Sequence, residues 1–135
     1  MRISRIIEFV AGIGIAALAI FLYAYGEIMN WQNPDMQFNV TVELFFFMIA
    51  MPGVLIGIGA YVHAIKNRLW GHYLLNITAG VNNFLIVALL SGIVWFYPGW
   101  VVLLFLIQFF LVLVAVAAAY FQHTQSNKRL QLTAR

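Results

Sequence analysis

Three histidines are the side chains of this sequence best suited to bind a metal ion or a haem: His63, His72 and His123. Neutral imidazoles are common zinc and copper ligands, and a facing pair can ligate haem iron. None of the three has the i, i+4 spacing that places two ligands on one helical turn. A metal or haem role is therefore a hypothesis, with His63 and His72 as the pair that a short connection would bring together. No bound cofactor is expected.

Four carboxylates are the acidic side chains of the chain. Ionisable groups inside a membrane are costly and mark functional sites. Glu8 begins an apolar stretch one turn after Arg5, which is expected to pair with it. A carboxylate in the first span of a small exporter can exchange protons for a cationic substrate, but Glu8 is placed closer to the membrane boundary than such a site. Glu27, Asp35 and Glu43 are expected to form a solvated rim, or alternatively an acidic mouth that gathers cations.

Amide side chains interrupt two of the apolar stretches. Asn76, Gly80 and Asn83 follow an i, i+4, i+7 spacing, so they share one helical face. Amides in hydrocarbon need hydrogen-bond partners, so this face is expected to point inward. Together with Glu8 and Gln108, it suggests a polar path for a transporter or channel. Hydrogen bonding between helices is the simpler interpretation.

The elements that position these residues follow from composition. The chain has 135 residues, of which 64% are hydrophobic and 8% charged, whereas soluble domains are roughly 25% charged. So small a chain could not bury this much apolar surface in water, and we expect one integral membrane domain, 1–135. The absence of cysteine excludes disulfides and thiolate chemistry. No catalytic, phosphate-binding or dinucleotide motif is present, so no enzyme is predicted.

Four apolar stretches are long enough to cross a bilayer, which takes about 20 residues. They are 6–29, 42–65, 73–96 and 100–121, and a polar tail, 122–135, is expected to be frayed. The first exceeds the roughly 15 residues of a signal-peptide core, which favours a retained span. Pro52 is expected to kink the second span. The predicted fold class is all-α, a four-span transmembrane helical bundle.

Small residues recur at helical spacing in every span. Gly53 and Gly57 form a G-x-x-x-G pair, a pattern that lets helices approach closely in lipid. The other spans carry the pairs Gly12/Ala16, Ala88/Gly92 and Ala115/Ala119. These pairs favour a packed bundle without identifying a dimer face.

All seven Lys and Arg residues fall in the amino-terminal segment, the connection around Lys66 and Arg68, and the tail. With four spans these segments share one side, and positive residues mark the cytoplasmic side. Both termini are therefore expected to be cytoplasmic. Aromatic residues near both ends of the spans agree with this topology. A bacterial inner membrane fits best.

The leading functional expectation is association in the lipid bilayer, as a homo-oligomer or as an accessory subunit beside another membrane protein. The first alternative is a small transporter or channel using Glu8, Asn76, Asn83 and Gln108. The second is a haem or metal protein using His63 and His72. The tail is too short and sparsely charged to indicate a nucleic-acid partner.

Overall fold

The computed structural model describes residues 3–32, 40–92 and 99–133, with side chains placed at 3–28, 47–92, 99–125 and 127–132. Four α-helices make up this part of the chain, and it contains no strand. They are α1 (Ile3–Gln32), α2 (Val40–Ala64), α3 (Leu69–Leu90) and α4 (Gly99–Thr133). Each contains a segment long and apolar enough to cross a membrane. The predicted all-α class with four apolar helices is confirmed.

Two helix limits differ from the sequence prediction. Helix α3 begins at Leu69 instead of residue 73, so His72 lies within its first turns. Helix α4 continues to Thr133, so the prediction of a frayed tail is wrong over 122–133. The tail contains no glycine or proline and is rich in good helix formers. Near its start, the Ser4 hydroxyl donates a hydrogen bond to Gln122 Oε1 at 3.1 Å.

The four helices form a ring in which each contacts its neighbours. Helix α1 packs between α2 and α4, and α3 packs against the same two helices on the far side. Neighbours are antiparallel, since the start of α1 meets the end of α2 and the start of α3 meets the late part of α4. We call the end that carries the connection 65–68 the loop end of the bundle.

Small residues let α1 and α2 approach closely. The pairs that meet are Gly12 with Ala60, Ala16 with Gly57, and Ala19 with Gly53. A methyl group added at Gly57 would lie 2.8 Å from the Ala16 Cβ, closer than real Cβ contacts allow. The two small-residue pairs of these helices therefore pack against each other within one chain. We call this close contact of small residues the α1–α2 seam. It also fixes the antiparallel register of the two helices.

A second close seam joins α2 and α3 at the loop end. A Cβ at Gly71 would lie 2.7 Å from the His63 backbone nitrogen and 2.8 Å from the Gly59 carbonyl oxygen. Between the helices, Asn67 adopts a positive φ of 55°, a conformation that asparagine tolerates better than most residues. The tight connection and the glycine contact hold the end of α2 against the start of α3.

The buried interior has apolar and polar tiers. One apolar cluster, centred on Ile15, Ile56 and Leu75, lies towards the loop end. The other, which includes Leu22 and Phe105, lies towards the opposite end. Polar side chains are buried between the clusters and again at the loop end. The buried polar side chains at both levels need hydrogen-bond partners within the bundle.

We predict that Gly71→Ala destabilises the bundle, because its methyl group would meet backbone atoms of α2 that can yield only if the helices separate. The expected cost is about 1–3 kcal/mol. Gly80→Ala is the matched control, since a Cβ there meets no atom within 4 Å and alanine favours a helix. Thermal unfolding in nanodiscs should show a lower Tm for Gly71→Ala only. Equal Tm values would contradict the close seam.

Candidate functional site

A short polar contact between α1 and α2 joins a carboxyl group to an imidazole. Glu8 Oε1 and His63 Nδ1 lie 2.6 Å apart, and the two residues are 0% and 4% exposed. The hydrogen bond forms with the proton on either partner: protonated Nδ1 donates to the carboxylate, or the carboxylic acid donates to a neutral imidazole. The pair can therefore hold a shared proton inside the bundle.

The predicted partner of Glu8 is wrong. Arg5 stands one turn away on the same helix, but its Nε is buried without a hydrogen-bond partner, as is Glu8 Oε2. The register of the α1–α2 seam turns Glu8 towards the end of α2 instead.

All three histidines meet at this position. The ring centroids of His63 and His72 are 4.9 Å apart. Those of His72 and His123 are 4.6 Å apart, with an interplanar angle of 10°. Residues 51 positions apart along the chain thus stack, because the antiparallel bundle brings the start of α3 to the late part of α4. With Glu8 from α1, each of the four helices contributes one titratable side chain. We call these four residues the Glu–His cluster.

Two buried atoms of the cluster have no protein partner, and the contact with Asn76 shows which of them is a donor. The Asn76 amide nitrogen lies 3.2 Å from His72 Nε2, so it donates to that nitrogen and leaves the ring proton of neutral His72 on Nδ1. His72 Nδ1 and Glu8 Oε2 are both buried without a protein partner. The cluster therefore retains one donor and one acceptor beyond the Glu8–His63 bond.

The metal and haem hypotheses receive no support from this geometry. Among the described residues, no group of three or more His, Asp or Glu side chains is arranged to hold a metal ion. The stacked rings of His72 and His123 are nearly parallel, so their in-plane lone pairs do not converge on one point. The rings of His63 and His72 are already in contact, which leaves no room for a haem between them.

A second polar contact lies midway along the bundle. The Gln108 amide nitrogen donates to Asn82 Oδ1 at 3.0 Å, and both residues are 0% exposed. The Asn82 amide lies 3.4 Å from Asn83 Oδ1, and Gln108 Oε1 is buried without a partner. Gln108 is a predicted site residue, whereas Asn82, to which Gln108 is bonded, is not.

The prediction that the Asn76, Gly80 and Asn83 face points inward is wrong. Asn76 and Gly80 are exposed, and Asn83 is only half-buried. The inward face of α3 is shifted by one residue and includes Leu75, Ala79 and Asn82. These mostly apolar residues fit the α2 and α4 surfaces, whereas Asn76 finds its partner in His72 at the rim. Glu8 and Gln108 are inside the bundle, so the four path residues do not form one group.

The acidic rim is only partly described. Glu27 is half-buried near the end of α1. Asp35 lies outside the described residues, and the side chain of Glu43 is not among those placed. A solvated rim or an acidic mouth therefore stays a prediction.

We predict that Asn82→Leu weakens the bundle by about 1 kcal/mol, because it leaves the Gln108 amide without its partner. Asn83→Leu is the control, since it keeps the Asn82–Gln108 bond and removes only the longer 3.4 Å contact with Asn82. A double-mutant cycle with Gln108→Leu, measured by unfolding in lipid or detergent, should give a coupling energy of roughly 0.6–1.7 kcal/mol. Coupling between Asn83 and Gln108 as large as between Asn82 and Gln108 would refute the assigned bond.

Comparisons of this chain with protein-family models, with curated proteins and with solved structures give no match.

Proposed function

We propose that this chain is an integral membrane protein that works as a small proton-coupled carrier, with Glu8 and His63 holding the proton. The observation that supports this proposal is the 2.6 Å contact between the Glu8 and His63 side chains, which are both buried in an apolar bundle. The proposal keeps Glu8 as the predicted transport residue. Its partner is His63 instead of the predicted amide side chains.

The energetics favour a functional role for the pair. Removing a carboxyl group and an imidazole from water costs several kcal/mol, which their mutual attraction offsets only in part. Well-packed apolar residues of similar volume would hold two helices at least as well. Ionisable groups buried inside a membrane protein are accordingly candidates for proton and ion pathways.

The cluster offers a proton route from one end of the bundle. His123 is half-buried near the loop end and stacks on His72, which contacts His63. These titratable rings lie on the side from which protons are proposed to reach the pair. After the proton leaves, the Glu8 carboxylate is a binding group for a cationic substrate.

The apolar end of the bundle interior favours a carrier over a channel. Beyond the Asn82–Gln108 contact, the interior is closed by the apolar cluster that includes Leu22, Ile49 and Phe105. A continuous channel would need polar groups through that cluster. A carrier instead exposes its site to one side at a time, and the burial of Glu8 and His63 in this structure fits a closed state.

We further propose that the loop end faces the cytoplasm, because Lys66, Arg68, Lys128 and Arg129 all lie there and are exposed. A bacterial inner membrane, which the sequence favours, stays a prediction. So does association as a homo-oligomer or accessory subunit. The pairs Gly12/Ala16 and Gly53/Gly57, which suggested close helix contacts, are engaged within the chain.

The orientation can be tested with single cysteines, because the natural chain has none. We expect Gly99→Cys, at the start of α4, to react with a membrane-impermeant maleimide on intact cells. Gln131→Cys, exposed in the α4 tail, should react only after the cells are opened. The reverse pattern would place the loop end outside, and labelling of both on intact cells would exclude a fixed orientation.

The carrier function can be tested in proteoliposomes that contain a pH-sensitive dye and carry an imposed pH gradient. Adding the low-molecular-mass fraction of an extract from the producing cells supplies the substrate without its identity being known. We expect the unchanged protein to dissipate the gradient and Glu8→Gln to lose this activity, because glutamine keeps a hydrogen bond to His63 but cannot release a proton.

Glu27→Gln is the control for that experiment, since it removes the same charge outside the cluster. It should retain the proton movement. Unfolding in the same lipid should show that Glu8→Gln is folded. Proton movement that survives in Glu8→Gln, or that the unchanged protein fails to produce, would contradict the proposal and leave the pair a structural contact.

A further inference from the structure

A groove runs along the outside of the bundle between the start of α1 and the second half of α4. It encloses about 970 Å³, at the upper end of the range for small-molecule sites. Ile3 and Ile7 form one wall, and Ala117 and Phe121 form part of the other. The groove is separate from the Glu–His cluster, which faces the bundle interior.

The α4 wall changes character along its length. Val114, Ala117, Phe121, Gln125 and Lys128 line the groove at intervals of three or four residues, so they share one helical face. The first three are apolar, and the last two are polar and basic, with Arg129 beside Lys128. Lys128 lies two turns beyond Phe121, roughly 10 Å along the helix axis.

This order matches the profile of a membrane surface. The polar headgroup region extends about 5–8 Å beyond the hydrocarbon on each side. Side chains on a helix point towards its N-terminus, so a long lysine side chain roughly 10 Å out reaches back into this region. If Phe121 lies at the hydrocarbon boundary, Lys128 and Arg129 lie at phosphate depth. The apolar wall then faces acyl chains.

The charges around the groove favour an anion. Lys128 and Arg129 are exposed neighbours at its polar end, and none of the described residues that line the groove carries a carboxylate. Glu8, the acidic residue of the first turns of α1, is buried and faces His63.

We propose that this groove binds an anionic phospholipid, with an acyl chain along Ile3, Ile7 and Phe121 and the phosphate at Lys128 and Arg129. The site rests on the proposed membrane insertion and is independent of proton coupling. Attraction of a cation to an anionic headgroup is worth about a factor of five per residue, so the two together give a preference on the order of thirty-fold.

The test uses nanodiscs made of equal parts phosphatidylglycerol and phosphatidylcholine with the same acyl chains. Native mass spectrometry of the released protein reads the ratio of the two lipids in the 1:1 complex. The unchanged chain should retain phosphatidylglycerol preferentially. The double variant Lys128→Gln with Arg129→Gln should lose that preference.

Lys66→Gln with Arg68→Gln is the matched control, because it removes the same charge at the same end from residues that do not line the groove. It should leave the lipid ratio unchanged. Ala117→Phe should fill the apolar part and reduce retention of both lipids, whereas Val87→Phe, exposed on another helix, should not.

Four results would overturn the site. Equal loss of preference in both double variants would mean diffuse attraction, and no preference in the unchanged chain would mean no site. A dimer mass that Ala117→Phe abolishes would make a second copy the occupant. A chain that never enters nanodiscs would overturn the proposed insertion, and the lipid site with it, whatever the proton measurements show.

Discussion

A carboxyl group buried among apolar helices must find a partner, and the contact between Glu8 and His63 meets that requirement. The rest of the loop end is built around it. The α1–α2 seam brings the two side chains together, the α2–α3 seam sets His72 against His63, and α4 brings His123 onto His72. A change in any of these helix positions would leave a polar group without its neighbour in a low-dielectric interior, where the cost is greatest.

Glycine makes this arrangement possible because it reduces the distance between helix backbones. At Gly71 the space for a side chain is occupied by backbone atoms of α2, including the nitrogen of His63 itself. The backbone that carries one imidazole is thus in contact with the helix that carries the next. Lipid provides no hydrophobic drive for helices to associate, so such close packing and the hydrogen bonds between helices supply the stability.

Much of the fold could be predicted because span length and composition depend on the bilayer alone. Four apolar helices follow from about 20 residues per crossing, whereas the end of α4 does not, because a polar helix can continue into water. The inward face of α3 was missed by one residue, since Leu75, Ala79 and Asn82 fit the helical period as well as Asn76, Gly80 and Asn83 do. Periodicity gives the spacing of a face but not its direction.

The Glu8–His63 pairing could have been found from the small residues. If Gly12 and Ala16 had been packed against Ala60 and Gly57, the antiparallel register would have carried Glu8 to His63 one turn further on. Local spacing suggested Arg5 instead, because an i, i+3 pair is visible in the sequence and a register between helices is not.

The register of α1 against α2 also shows that packing does not require the Glu8–His63 pair. Gly12, Gly53 and Gly57 already hold α1 against α2, so the seam does not need a buried ionisable pair at its end. An apolar pair at 8 and 63 would continue the seam without the desolvation cost. The retained carboxyl and imidazole are therefore the basis of the proposed proton exchange, and His72 and His123 extend the cluster towards the loop end.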